Sequence, residues 1–345
     1  MTMINCNEVQ YAPSSDCCLR MAGENELDYF VRLFENKSKY GITSQAVANL
    51  LNAEFGTNFD ESTYRKRYAD FNRGRIFERE HGSRQVAHRI LAVSDLHVPF
   101  QLPISIFQSY AENVDTLVFN GDILDCHSIS KFTKKYRINL IDEMIEARQY
   151  IISLIDLIKP TKVLFTKGNH EHRLLTYLSE KLNEDIMNLM PDSPLDLIVN
   201  DGFKNNDRLK RTEIFYPPLT VVYKDQDVDV EYNGDWWCMC GNTIFAHPLV
   251  YSTSILKTTE KAVQYFTHQS ITHHFTAIVL GHTHKIGFYK MGNIRMYEQG
   301  CCCKIEEMNY ADGKLQLPQQ KGFMYIALDS NGDIIENRTQ LVSIE

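Results

Sequence analysis

The sequence predicts an α/β domain preceded by a small helical unit, and three features of its 345 residues carry that reading. From His88 onward, short apolar runs alternate with amphipathic stretches, the pattern of strands and helices stacked in layers. Between Asn25 and Gly74 the apolar residues instead recur at a helical period. Each run between Arg89 and Leu280 that reads as a strand leads directly into Asp, Asn or His side chains suited to binding cations.

In the helical unit, Leu27, Phe30, Val31 and Phe34 share one face, and the pattern breaks at Tyr40-Gly41. Thr43-Ser44 then offer N-cap residues for a second helix. Its apolar face is Ala46, Val47, Leu50, Leu51 and Phe55, and Gly56 closes it. Asp60 or Ser62 caps a third helix through Tyr64, Tyr68 and Phe71, expected to end near Gly74. Residues 1–85 are therefore read as a helical, helix-turn-helix-like region and residues 86–345 as a separate α/β domain. The third helix is basic, with Arg65, Lys66 and Arg67 near its start and Arg73 and Arg75 further along. Two readings stand: a recognition helix for DNA or RNA, or a bundle helix whose charged face is solvated.

In the second domain, Arg89–Val93, Thr116–Phe119 and Lys162–Phe165 read as strands. Ile141–Ile158 is amphipathic through Met144, Ile145, Ile151, Ile152 and Ile155, and Pro160 stops it. Trp236–Cys240 and Thr243–Ala246 flank the Gly241-Asn242 turn of a hairpin. Thr276–Leu280 and Phe323–Leu328 are later strands, the second followed by an Asn331-Gly332 turn. A helix from Leu174 to about Met190 opens a polar and aromatic stretch reaching Tyr232, expected to form the rim of the site.

Composition narrows the class. Hydrophobic residues make up 43% and charged residues 23%, ordinary for a soluble globular protein. No run approaches the roughly 20 apolar residues of a membrane span, and Met1–Asp16 lacks the apolar core of a signal peptide. A cytoplasmic protein is expected, in the host cytoplasm if the source is viral. Nine cysteines, several adjacent as Cys17-Cys18 and Cys301-Cys302-Cys303 and none in a CxxC pair, read as reduced thiols, not a disulfide framework or zinc ribbon. The net charge of −8 argues against a globally basic nucleic-acid binder. Yet Glu61–Arg89 holds eight Lys/Arg against four acids, a local +4 that leaves −12 for the remainder.

The candidate ligands fall in five groups: Asp95-Leu96-His97, Gly121-Asp122-Ile123-Leu124-Asp125, Gly168-Asn169-His170-Glu171, His247, and Gly281-His282-Thr283-His284. Sites in α/β proteins gather at the carboxyl ends of strands, so these five can converge on one crevice. Mixed imidazole and carboxylate donors suit Mn²⁺, Fe, Zn²⁺ or Ni²⁺ better than Ca²⁺ or Mg²⁺. His81, His88, His127, His268, His273 and His274, each standing alone, read as packed or surface residues.

That ordered set resembles the calcineurin-like metallophosphoesterases, over roughly Arg89 to Arg295, in the manner of phage and bacterial members. The resemblance implies a β-sandwich flanked by helices and a pair of divalent cations, Mn²⁺ foremost. Asp95, His97, Asp122 and His284 would hold one cation. Asp122, Asn169, His247 and His282 would hold the other, with Asp122 between them. It further implies a phosphoesterase in which hydroxide formed at the pair attacks phosphorus in line. His170 would protonate the leaving oxygen and Asp125 would orient His170 and favour its charged form.

Departures from the pattern bear on substrate. Protein phosphatases of this superfamily carry Arg-Gly after Gly-Asp-x-x-Asp, where this chain has Cys126-His127. Arg173 is either a replacement phosphate donor or a rim residue. The leading expectation is a phosphodiesterase or nuclease acting on DNA or RNA recruited by the basic helix. The alternative is a phosphomonoesterase, for nucleotides or phosphoproteins, whose N-terminal helices serve as lid or oligomer contact. No membrane partner is expected.

Overall fold

Three helices open the chain in a computed structural model, which describes residues 18–21, 24–77, 85–131, 136–207, 212–269, 274–308 and 318–344. Met1–Asp16, Cys17, Glu78, Arg79, Glu80, His81, Arg84 and His273 lie outside the described residues. The chain divides into two compact units, Met1–Ser83 and Arg84–Glu345.

In the first unit, α1 (Glu26–Tyr40) starts where the Asn25 side chain accepts from the Asp28 amide and ends at Gly41 in the left-handed region. Thr43 Oγ1 accepts from the Ala46 amide at 3.2 Å and opens α2 (Ser44–Phe55). Asp60, not Ser62, caps α3 (Glu61–Phe77): its Oδ1 accepts from the Thr63 amide at 2.7 Å. This helix runs past Gly74, because one interior glycine costs only about 1 kcal/mol and neighbouring turns carry it. Tyr29, Phe30, Leu33, Phe34, Val47, Leu51 and Tyr64 form the core of the unit.

The second unit holds thirteen strands among its described residues. In order they are β1 (His88–Val93), β2 (Thr116–Asn120), β3 (Lys162–Thr166), β4 (Phe203–Asp207), β5 (Thr212–Tyr216), β6 (Asp229–Glu231) and β7 (Trp237–Cys240). There follow β8 (Thr243–Ala246), β9 (Ala277–Leu280), β10 (Ile286–Met291), β11 (Ile294–Gln299), β12 (Lys321–Leu328) and β13 (Gln340–Ile344). One sheet runs β13-β12-β1-β2-β3-β6, the other β10-β11-β9-β8-β7, and β4-β5 is a separate hairpin. Side chains alternate between faces with a period of two, so Ile90 and Ala92 face the second sheet while Leu91 and Val93 face outward. Between the sheets Ile90, Ala92, Val118 and Met324 meet Phe245, Ala277 and Val279. Outside the first sheet lies α4 (Leu140–Ile158), burying Met144, Ala147, Ile151 and Ile155. Outside the second lies the helix Lys257–His268, through Ala262, Val263 and Phe266. The result is an α/β sandwich with a helix layer on each side.

The segment after Leu174 departs from expectation. It breaks into α5 (His172–Ser179) and a single turn Glu184–Met187, with Thr176 and Leu178 carbonyls closing the first helix. Strands β1, β2 and β3 are parallel neighbours, and so are β8 and β9, so their carboxyl ends open on common edges. No helix among the described residues is long and apolar enough to cross a membrane.

Candidate metal centre

The loops after β1 and β2 are tied together by backbone hydrogen bonds, from Asp95 N to Gly121 O (3.1 Å) and from His97 N to Asp122 O (3.0 Å). Within them the chain adopts positive φ at Asp95 (53°), His97 (47°) and Asp122 (50°), and beyond β9 at His282 (73°) and His284 (52°). A non-glycine residue in that region costs on the order of 1–3 kcal/mol and persists where surrounding structure enforces it. Five such residues fall within the candidate ligand groups themselves. Two glycines make room for them. A Cβ at Gly121, whose φ is 76°, would stand 2.4 Å from the His247 ring. One at Gly168 would stand 2.1 Å from Asp122 Oδ1. Gly121 thus serves both its turn and the close approach of His247, whereas Gly168 serves close approach alone.

The structure brings the predicted ligands together in two adjoining groups. Asp95, His97 and His284 offer donor atoms within 4.8 Å of one another, and so do Asp122, His247 and His282. His284 Nε2 lies 3.0 Å from Asp95 Oδ1 and 3.1 Å from His97 Nε2. Asp122 Oδ2 lies 3.8 Å from His97 Nε2 and 3.2 Å from His247 Nε2, one imidazole of each group. Asn169 follows β3, and its Oδ1 is buried without a hydrogen-bond partner. Asp95, Asp122 and Asp125 are at most 1% exposed.

These distances test whether cations fit. His247 Nδ1 donates to the Asn120 carbonyl at 2.8 Å, so Nε2 faces the Asp122 carboxylate and, whenever the ring is neutral, turns a lone pair toward it. Two acceptors 3.2 Å apart repel unless positive charge lies between them. His282 Nε2 and Asn169 Oδ1 are buried and make no hydrogen bond, and the buried His247 Nε2 has Asp122 Oδ2 at 3.2 Å as its ion-pair contact within hydrogen-bonding range. Donors of the right kind, left unsatisfied and aimed together, fit a pair of divalent cations.

Without cations, the imidazoles balance the buried carboxylates. Burial pushes the Asp122 carboxyl up, but His170 and His247 outweigh it and hold it well below the usual range. Burial likewise opposes charge on His247 and His97, yet Asp122 and Asp95 raise the first to about 9, and Asp125 and Asp95 raise the second to about 8. His282, half-buried and beside His247, loses solvation for its charged form and falls to about 3.

His170 is held from both sides. Its Nδ1 lies 3.1 Å from Asp125 Oδ1 and 3.0 Å from the Asp125 carbonyl. Arg173 Nη2 donates to His170 Nε2 at 2.8 Å, and Arg173 Nη1 to the Asp125 carbonyl at 2.7 Å. Asp125 therefore orients His170, but the ring is not kept charged. Burial leads, with His97 and Arg173 adding to it, and its pKa drops to about 4 despite Asp122 and Asp125. Arg173 is drawn onto the site, not left on an outer surface.

Sequence reasoning places Glu171 in the third ligand group and gives it no role of its own. Fully buried, its Oε2 accepts from the amides of Asp122 (3.0 Å) and Gly168 (2.9 Å), and its Oε1 from Leu124 (2.9 Å). One side chain thereby fixes the loop that presents Asp122. The available signal was its place directly after Asn169-His170. Among the lone histidines, His127 is packed against Tyr136 and His88 bonds Thr116.

The basic residues of α3 lie in the other unit. Arg65 pairs with Glu61 at 3.4 Å, Arg73 with Asp70 at 3.1 Å, and Arg75 with Glu35. The Arg67 guanidinium sits over the rings of Phe30 and Tyr64, and Lys66 is exposed.

Fold and site together define a metal-binding α/β sandwich whose ligands converge from strand ends of both sheets. Residues 88–286 match the calcineurin-like phosphoesterases, and the chain belongs to that family. Residues 17–82 match the YonJ N-terminal domain, and the pairing is an architecture of phage and bacterial type. Among solved structures the chain is similar to vacuolar protein sorting 29 from Cryptosporidium parvum, at 14% identity over 76% of this chain and 100% of that one, with a TM-score of 0.34. It is also similar to an archaeal phosphodiesterase, at 15% identity over 74% and 99%, with a TM-score of 0.30. The zinc complex of the sorting protein from Entamoeba histolytica gives 12% identity over 74% and 98%, with a TM-score of 0.31. No curated protein sequence matches the chain.

Replacing Glu171 by Gln sets an NH₂ group against a buried amide, which costs on the order of 1–3 kcal/mol. Glu171→Gln is expected to weaken cation binding by roughly 10- to 100-fold, the usual effect of losing a group that orients a ligand. Calorimetric titration with Mn²⁺ checks this, and an unchanged affinity would show that Asp122 holds its place without Glu171.

Proposed function

We propose that the chain is a two-metal phosphodiesterase acting on nucleic acid. The observation that carries the phosphoesterase reading is Asp122, whose one carboxylate oxygen lies within 4 Å of an imidazole from each ligand group. Asp95, His97, Asp122 and His284 would hold one divalent cation, and Asp122, Asn169, His247 and His282 the other, with Mn²⁺ the leading candidate. Bound there, the pair supplies charge neutralisation for the phosphoryl oxygens and a water acidic enough to ionise near neutral pH.

The chain's own residues do the rest. Glu171 fixes the Asp122 loop, and Asp122 Oδ1 accepts from the His170 amide at 2.8 Å, tying the acid to the ligands. Asp125 receives the His170 Nδ1–H, so Nε2 is the nitrogen that would take up a proton from solvent, once the Arg173 guanidinium leaves it, and pass it to a leaving oxygen. Arg173 occupies that nitrogen here. A phosphate oxygen that draws the guanidinium to itself frees Nε2 at the moment the ester is seated. Cys126-His127, where an Arg-Gly pair would mark a protein phosphatase, favours a diester. The basic helix α3, with five Lys/Arg against two acids, supports nucleic acid as its source.

With Mn²⁺ present, bis-(p-nitrophenyl) phosphate should turn over in preference to p-nitrophenyl phosphate, and chelation should abolish the activity until Mn²⁺ is restored. Asp122→Asn should reduce turnover to background. His170→Asn should keep its cation content and lose about 10²- to 10⁴-fold in kcat, most for poor leaving groups. Turnover of the monoester alone would make the protein a monoesterase, and a wild-type rate in His170→Asn would remove that residue from the reaction.

Recruitment has its own measurement. Changing Arg65, Lys66 and Arg67 together to Gln should weaken DNA or RNA binding and flatten the dependence of log affinity on log salt by about three, near one for each phosphate no longer neutralised. An unchanged affinity and slope would reduce α3 to a structural element.

A further inference from the structure

We propose that His284, Cys301 and Cys303 form a third cation site, distinct from the paired site and sharing the His284 imidazole, that takes a thiophilic divalent cation such as Zn²⁺. One donor atom from each of the three residues lies within 4.8 Å of the other two, and all three residues are buried. His284 presents a different nitrogen to each side. Its Nε2 faces Asp95 and His97, while its Nδ1 is buried and makes no well-formed hydrogen bond. That nitrogen has only the Cys301 thiol beside it, so imidazole and thiol aim at the same point, where a cation would sit.

The three consecutive cysteines follow from the same geometry. Extended chain alternates sides, so Cys301 and Cys303 share one side and Cys302 takes the other. Cys302 packs into the large core under the first sheet, whereas Cys301 and Cys303 lie with Phe100 and Met308. The backbone holds this arrangement before any cation arrives. Cys301 N donates to Gln320 O at 3.0 Å, Cys302 N to Ser94 O at 3.0 Å and Gly322 N to Cys301 O at 2.9 Å. His284 is fixed to the same strands, since its carbonyl accepts from Gln320 N at 2.8 Å. Two sulfurs and one imidazole are a donor set for Zn²⁺ and other thiophilic cations, with a fourth position open to water. Each thiol gives up its proton to solvent as the cation binds, and so does the His284 ring when both of its nitrogens hold cations, since a bridging imidazole is deprotonated.

The test counts metal and reads its ligands. Wild-type protein saturated with Zn²⁺ and freed of excess should hold one equivalent more than the Cys301→Ser/Cys303→Ser variant. With Co²⁺ instead, the wild type should show sulfur-to-cobalt charge-transfer absorption that the double variant lacks. Asp122→Asn should keep that absorption, which separates this site from failure of the paired one. If the double variant does not fold, Cys303→Ala and the native wild-type spectrum decide the matter. Absence of the band in Co²⁺-saturated wild type would overturn the proposal. So would a band without the extra equivalent, because the thiolate would then serve one of the paired positions.

Discussion

Three buried carboxylates, each with an oxygen 3.8 Å or less from a ring nitrogen of His97, set the terms for this structure. Asp95, Asp122 and Asp125 stand at strand ends, shielded from water, where like charges repel and desolvation is severe. Such a cluster persists only with positive charge close by. Imidazoles supply part of it: His97 and His247 are driven toward their charged forms while His170 and His282 are driven toward neutrality. Divalent cations satisfy the same field and also the lone pairs left unpartnered on His282 and Asn169. The positive φ angles at Asp95, His97, Asp122, His282 and His284 are the backbone's share of that arrangement. The rigid sandwich beneath holds them, since buried strands on both sides of each loop leave little room to relax.

Much of this was legible in the residues because the buried strands are apolar on both faces. The segments that became β1, β2, β3, β8 and β9 read as continuous apolar runs, the mark of strands covered on two sides. Their ligand groups follow each run directly, so the order of motifs carried the site. The edges were harder. Strand β10 exposes Phe288 and Tyr289, and the β4-β5 hairpin exposes Ile214 and Phe215, so their patterns lack a buried face to announce them. The third helix overran Gly74 because a weak local preference lost to the helix around it.

Two features could not be read from one dimension. Glu171 acts on amides from two separate loops, an arrangement that exists only once β2 and β3 are paired. The neutral state of His170 comes first from burial, with His97 and Arg173 adding to it, and Arg173 reaches Nε2 through the turn that leads into α5, where its amide donates to the His170 carbonyl at 3.1 Å. The sequence suggested that Asp125 would favour a charged ring. Burial and the guanidinium decide otherwise, and Asp125 is left the role of holding the ring's orientation.

The central claim is that Asp122 joins two cation positions into one centre. Electron paramagnetic resonance of the protein loaded with two equivalents of Mn²⁺ tests it most directly, because ions sharing a carboxylate about 3.5–4 Å apart couple their spins. The account predicts an exchange-coupled dimanganese signal in the wild type that is lost in Asp122→Ala. A spectrum of isolated Mn²⁺ ions alone at full loading would contradict it.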